Sequence, residues 1–208
     1  MMNRNKIIYT TLFYLCFAAV AIAQDAASIM DNASAAFKKH KSVVSNYTLT
    51  YTEGGKNRTS TGGIVIQGNK YVNKIGGTMI WFNGKTMWTL VEENEEVNVS
   101  EPDKDELSTN NPYFFIQTYK QDFNPSLVSN ANNIYTVKLT PKKHNEDLQY
   151  VILTLAKGNY QPKSIQLVMA KSRMSIVLNT FKVDKKYKSS SFNFNSKSYP
   201  GYEVVDLR

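Results

Sequence analysis

The residues able to do chemistry in this 208-residue chain are few and scattered. There are two histidines, His40 and His144. The first ends a helical stretch and the second sits in a polar loop. A Ser-His-Asp hydrolase of the nucleophile-elbow type needs G-x-S-x-G, which the chain lacks. Glu92, Glu93, Glu95 and Glu96 offer paired carboxylates of the kind that cleave glycosides. They crowd a hairpin tip, however, where a solvated charge cluster is the ordinary outcome. Asp103, Asp105 and Glu106 are too irregularly spaced for a calcium loop. The single cysteine, Cys16, excludes a disulfide framework and a multi-cysteine metal site. No P-loop or G-x-G-x-x-G is present. The residues therefore point to no catalysis, no metal and no cofactor.

What the chain has in quantity is apolar surface. Hydrophobic residues make up 42% and aromatic residues 12%, with 13 Tyr, 10 Phe and 7 Met. That is too apolar for a disordered chain. The net charge is +8, but the lysines are spread singly or in doublets such as Lys38-Lys39 and Lys142-Lys143. Nucleic-acid binders concentrate such charge on one element. Attraction to an anionic membrane surface suits this pattern better than nucleic acid.

The first 23 residues read as an address. Arg4 and Lys6 precede an apolar run over 7–20, and Ala21-Ile22-Ala23 forms a small-x-small cleavage signature before Gln24. This is the pattern of a secretory signal peptide cleaved after Ala23. The run is too short for a membrane span. Phe13, Tyr14 and Leu15 are too bulky to form a lipidation site at Cys16. Residues 24–208 are then expected to be one soluble domain.

Several elements must build that domain. Residues 25–40 read as an amphipathic helix, with Ile29, Ala33, Ala36 and Phe37 at helical spacing. Its apolar stripe is thin and partly alanine, which predicts light docking. Strand signals follow at 43–52, 59–67, 70–75, 78–82, 85–91 and 96–100. Gly62-Gly63 suggests a bulge or bend. Asn83-Gly84 predicts a two-residue hairpin turn, with Trp81 opposite Thr86, Met79 opposite Trp88 and Ile80 opposite Met87. Residues 102–130 break the rhythm. Asn111-Pro112 there can start a short helix over 113–120. Strands resume at 134–140, 150–156, 164–170 and 174–183, with shorter ones at 192–194 and 203–207. The sum is a mainly β (α+β) fold of about ten antiparallel strands, an N-terminal helix and a helical insert.

The hairpin at Asn83-Gly84 is apolar on both faces, whereas an antiparallel sheet usually wets one. Two readings remain open on this pattern. Either the sheet and helices form a filled two-layer core, or a curved sheet holds an apolar ligand beneath a helical lid. Met30, Met79, Met87, Met169 and Met174 suit both.

The order of short motifs adds to this. Asp25-Ala26-Ala27-Ser28 opens the helix. Asn83-Gly84-Lys85-Thr86-Met87-Trp88, Asn111-Pro112-Tyr113-Phe114 and Leu139-Thr140-Pro141-Lys142 follow, and the end reads Phe192-x-Phe194…Pro200-Gly201…Val205-Asp206. Together they resemble the periplasmic outer-membrane lipoprotein carrier (LolA) family over nearly all of residues 24–208. The resemblance implies an unclosed antiparallel β-barrel, or strongly curved sheet, whose cavity takes lipoprotein acyl chains. It also implies an inner-membrane lipoprotein exporter complex and an outer-membrane acceptor as partners, a periplasmic location and a monomeric carrier. On this reading Tyr47, Leu49, Tyr51, Met79, Trp81, Trp88, Leu90, Met169 and Ile176 line the cavity. Ile29, Ala33 and Phe37, with Phe114 and Phe115, form the lid. One departure stands out. The family's exporter hook is an R-P-N-x-F stretch after the second strand, and Gln67-Gly68-Asn69-Lys70-Tyr71 has neither the Arg nor the Pro. A lipid-binding sensor or scaffold of the same fold is the alternative that this departure keeps in view.

Overall fold

The computed structural model describes residues 26–208. The expected signal peptide over 1–23 lies outside the described residues. A first helix, α1, covers residues 26–39. Six strands follow as a meander: β1 (Val43–Glu53), β2 (Lys56–Gln67), β3 (Lys70–Ile75), β4 (Thr78–Phe82), β5 (Met87–Val91) and β6 (Glu96–Ser100). Two helices interrupt it, α2 (Lys104–Asn110) and α3 (Phe114–Asp122). A second meander runs through β7 (Phe123–Ala131), β8 (Ile134–Pro141), β9 (Leu148–Ala156), β10 (Pro162–Met169) and β11 (Ser172–Leu178). The short β12 (Lys182–Val183) and β13 (Glu203–Asp206) complete the sheet. Among the described residues, no helix is long and apolar enough to cross a membrane.

All thirteen strands belong to one sheet, in the order β13-β6-β5-β4-β3-β2-β1-β11-β10-β9-β8-β7, with β12 beside β1. The two meanders join where β1 pairs with β11, from Tyr47↔Leu178 to Glu53↔Ser172. Pairing is antiparallel except between β13 and β6. The end strands β13 and β7 do not meet, so the curved sheet stays unclosed. This is the mainly β, open-barrel architecture expected from the sequence.

Alternation of side chains along each strand splits the residues between two faces. Ile66, Tyr71, Phe82 and Met87 form one cross-strand row, and Val65, Val72, Trp81 and Trp88 form its neighbour on the opposite face. The first face carries the main core, shared with α1 and α3. The second is covered by the C-terminal tail, through Phe194, Tyr199 and Tyr202.

Several details differ from the sequence reading. The β4–β5 hairpin has a four-residue loop, and the pairs are Trp81↔Trp88 and Phe82↔Met87. Asn83 causes this: its Oδ1 accepts from the Lys85 and Thr86 N–H groups at 3.0 and 2.9 Å, closing a side-chain turn inside the loop. Pairing of β1 with β2 runs through Gly62 and Gly63 without a register shift, so there is no bulge. β7 is a strand where a loop was expected. It is the sheet's wet edge, which tolerates Pro125 and a run of polar residues. The helix α2 exists because Asp103 caps it, accepting from the Glu106 N–H at 2.8 Å. Finally, the expected strand at 192–194 gives way to a 3₁₀ turn, Ser189–Phe192, and irregular chain.

Candidate functional site: the helix-covered face

The covered face starts from α1. Ile29, Met30, Ala33 and Phe37 recur at helical spacing and pack on the sheet, each less than a tenth exposed. The stripe is thus buried except for Ala36, which is partly exposed, although the sequence suggested light docking; Ala26 and Met30 widen it. From α3, Phe115, Ile116 and Tyr119 are buried on the same cluster and Phe114 packs at its edge. All five expected lid residues, Ile29, Ala33, Phe37, Phe114 and Phe115, therefore lie in or against one apolar layer.

Polar contacts tie the two helices together. The Tyr119 hydroxyl donates to Asp31 Oδ1 of α1 and approaches the Ala27 carbonyl at 3.3 Å. Lys120 Nζ reaches the same carboxylate at 3.1 Å. The Tyr119 hydrogen bond, and then Lys120, hold the Asp31 carboxyl below its ordinary range. Burial, and then Asp31, push the Tyr119 phenol up. A third tie comes from Asn32, whose Nδ2 donates to the Tyr160 hydroxyl at 3.3 Å. Tyr160 lies between β9 and β10, so α1 is held at α3 and at the second meander.

The sheet side has its own pin. The buried Tyr47 hydroxyl donates to Asn73 Oδ1 at 2.7 Å, and Asn73 Nδ2 donates to the Asn110 carbonyl at 2.9 Å. This chain joins β1, β3 and the end of α2. Lys104 then pairs with Asp122 at 3.0 Å, joining α2 to α3. Pairing of Asn73 within the core meets the general demand that buried polar groups find partners.

Clefts flank the covered face. One of about 240 Å³ is lined by Phe37, Val43, Ile66 and Gln117, and includes Gly68 and Asn69 of the β2–β3 turn. A second, about 260 Å³, lies between α1 and the second meander at Ala33, Phe37, Tyr160 and Phe181. A third, about 400 Å³, sits by Phe114, Phe123 and Leu148, with Lys142, Lys143 and His144 at its rim. The first two volumes fall just below the usual ligand-site range and the third lies near its lower end. A long acyl chain would need the helices to move.

The expected cavity residues divide. Tyr47, Leu49 and Ile176 belong to the covered face. Tyr51 shares their side of β1 but lies farther out, beside Glu53, Lys56 and Arg58. Met169 is half-buried at the end of β10, opposite Leu148. Met79, Trp81, Trp88 and Leu90 do share one face, as expected, but it is the opposite one. Trp81 there meets Phe194 edge-on at 5.5 Å and Tyr199 at 5.7 Å. The tail, and not a ligand, covers the second apolar side of this hairpin. Sequence reasoning did not single out Asn73, Ile116, Tyr119 and Tyr71. The alternation Tyr71-x-Asn73 and the helical spacing of Phe115, Ile116 and Tyr119 were the available signals.

His40 contacts Asp184, at 3.4 Å from Nδ1 to Oδ2, on the surface at the end of α1. Among the described residues, no three His, Cys, Asp or Glu side chains gather to hold a metal ion.

An open antiparallel shell with helices latched over its apolar face defines a class of lidded β-sheet folds. Within that class the chain belongs to the family described as outer membrane lipoprotein carrier protein LolA, whose model matches residues 16–171. No curated protein is found to be similar in sequence. Among solved structures, an uncharacterised conserved protein from Thermus thermophilus has a similar fold. Its TM-score is 0.58 at 8% identity, over 88% of this chain and 99% of that one. A LolA superfamily protein from Nitrosomonas europaea aligns with TM-score 0.46 and 13% identity, over 81% and 97% of the two chains. A lipoprotein-sorting protein domain from Vibrio parahaemolyticus aligns with TM-score 0.48 and 9% identity, over 82% and 97%.

Proposed function

We propose that the protein is a periplasmic carrier that takes lipoprotein acyl chains between its helices and its apolar sheet face. It would receive them from an inner-membrane exporter and release them to an outer-membrane acceptor, without catalysis. The observation that carries this reading is the construction of the cover. The helices α1 and α3 bury an apolar layer, yet polar contacts at Asp31, Tyr119 and Lys120 join them to each other. Ligand contacts can replace helix–sheet contacts of the same kind, so opening need not expose the face to water.

The energetics explain the need for such a protein. Moving one C16 chain from a bilayer into water costs on the order of 12 kcal/mol, at about 0.8 kcal/mol per CH₂. A lipoprotein with several chains cannot cross an aqueous compartment unaided. A carrier must also release its cargo, and a closed state that competes with the ligand limits its grip.

Membership of the LolA family supports the carrier reading. The β2–β3 turn supports a second one, a lipid-binding sensor or scaffold, because Gln67–Tyr71 lacks the Arg-Pro pair of the family's exporter hook. Mass spectrometry of lipid co-purifying under native conditions tests lipid binding. Transfer of a labelled lipoprotein from inner-membrane vesicles then separates carrier from sensor. A protein that binds lipid but never moves it between membranes is not a carrier.

A further inference from the structure

Among the described residues, two tyrosine hydroxyls inside the covered face have no partner. Tyr71 is 1% exposed and Tyr113 is fully buried. Among the described residues, nothing completes a hydrogen bond with either hydroxyl. Folded interiors pair nearly all such groups, because an unmade hydrogen bond in a core is costly. The same layer contains two tyrosines that are paired, Tyr47 with Asn73 and Tyr119 with Asp31. The unpaired state of the other two is therefore local to their sites.

Both sites lie in the apolar layer between the sheet and its helices. Tyr71 stands on the covered face of β3, with its ring 5.4 Å from Phe82; burial, and then the negative charge of Glu106 on α2, push its phenol up. Tyr113 lies at the entry to α3, stacked on Phe37 of α1 at 5.1 Å. Its polar neighbour, Ser45, donates to the Thr180 carbonyl at 2.5 Å, and the Tyr113 hydroxyl stays outside hydrogen-bond geometry with it. One hydroxyl thus belongs to the sheet and the other to the cover. Phenylalanine at either position would fill the same space without an orphan donor.

We propose that Tyr71 and Tyr113 hydrogen-bond the carbonyl groups of bound acyl lipids, making the covered face selective for acyl esters and amides over plain alkyl chains. The inference rests on the lipid-binding reading above and adds the chemistry the site recognises. A neutral phenol suits this task. It donates one proton to a carbonyl oxygen and brings no charge into the apolar layer. Burial keeps both phenols protonated at physiological pH, with Tyr113 pushed up to about 12. Entry of the chain head converts two unpaired hydroxyls into two hydrogen bonds. That gain exists only in the loaded state.

The experiment compares ester-linked lipids with their dialkyl ether analogues, which keep the chains and lose the carbonyls. A diacylglyceryl lipopeptide and a phosphatidylethanolamine, each with its ether counterpart, are titrated against the full chain and against Tyr71→Phe and Tyr113→Phe. The wild type should prefer ester to ether by roughly 3- to 10-fold for each hydroxyl engaged. Each Phe variant should lose part of that preference, bind the ether equally well and melt at a higher temperature when empty. The ester that shows the larger preference identifies lipoprotein or phospholipid as the source of the carbonyl. Equal binding of ester and ether by the wild type overturns the inference while leaving lipid binding intact. So does an unchanged preference in both variants, or an unchanged or lowered melting temperature, which would mean the hydroxyls already have partners. Failure of the wild type to bind any of the four lipids overturns the lipid-binding reading itself.

Discussion

Tyr47 and Gly62 face each other across β1 and β2, and the tyrosine ring fills the space that a side chain at residue 62 would need. A Cβ there would overlap Tyr47 Cζ and the hydroxyl beside it. The contact is backbone against ring, so neither side can yield cheaply. It lets the ring lie close to β2 while its hydroxyl reaches Asn73, and through Asn73 the end of α2.

The first prediction follows from that contact. Gly62→Ala should displace the Tyr47 ring and break the chain Tyr47–Asn73–Asn110. Overpacking of this kind costs about 1–3 kcal/mol. Urea unfolding should show the loss. Hydrogen exchange should show it focused on α2 and the amides of β3. An unperturbed midpoint would mean that the ring moves aside freely.

A second prediction concerns the latch between α1 and α3. Asp31→Asn removes the charge that Lys120 and the Tyr119 hydroxyl hold. Lipid uptake should become faster and the melting temperature should fall. The pH dependence has a definite sign. The folded-state carboxyl titrates below its ordinary value of 3.8, so its contribution is complete above 3.8 and is lost as the pH falls through the lowered value. The difference in melting temperature between wild type and Asp31→Asn should therefore be constant at neutral pH and vanish in acid. A difference that changed around neutrality would place the relevant titration elsewhere.

The third prediction separates the two faces. Trp81 belongs to the cluster under the C-terminal tail. Trp81→Ala should destabilise the protein by about 3–5 kcal/mol, as removal of a large buried aromatic does. Lipid affinity of the folded variant should stay unchanged. Phe37→Ala, on the covered face, should instead alter uptake. Weaker lipid binding by folded Trp81→Ala would return Trp81 to the binding site.

These outcomes bear on what could be read from residues alone. The helix α1 and most strands were legible because periods of 3.6 and 2 are local properties of the chain. That Met79, Trp81, Trp88 and Leu90 share one face was legible for the same reason, although their register was not. Even a two-residue error in the loop keeps the same residues on the same face. Which face meets the helices was not legible. It depends on Phe194 and Tyr199, more than a hundred residues farther along the chain, returning over Trp81. β7 escaped because an edge strand need not alternate cleanly when one side is wet. α2 escaped because none of its seven residues is fully buried and Leu107 alone packs on the core, so its signal is confined to the Asp103 cap and the acidic first turn.

For the proposed carrier to load, α1 must leave the sheet and admit acyl chains. A full chain carrying Asn32→Cys and Tyr160→Cys, bridged by a short bismaleimide, ties α1 to the β9–β10 turn where these two side chains now meet. Uptake of a diacylglyceryl lipopeptide by the verified bridged form is the measurement. Uptake should be abolished when the bridge is in place and normal in the same variant left unbridged. Equal uptake by the bridged and unbridged forms would contradict this and make α1 a fixed part of the core.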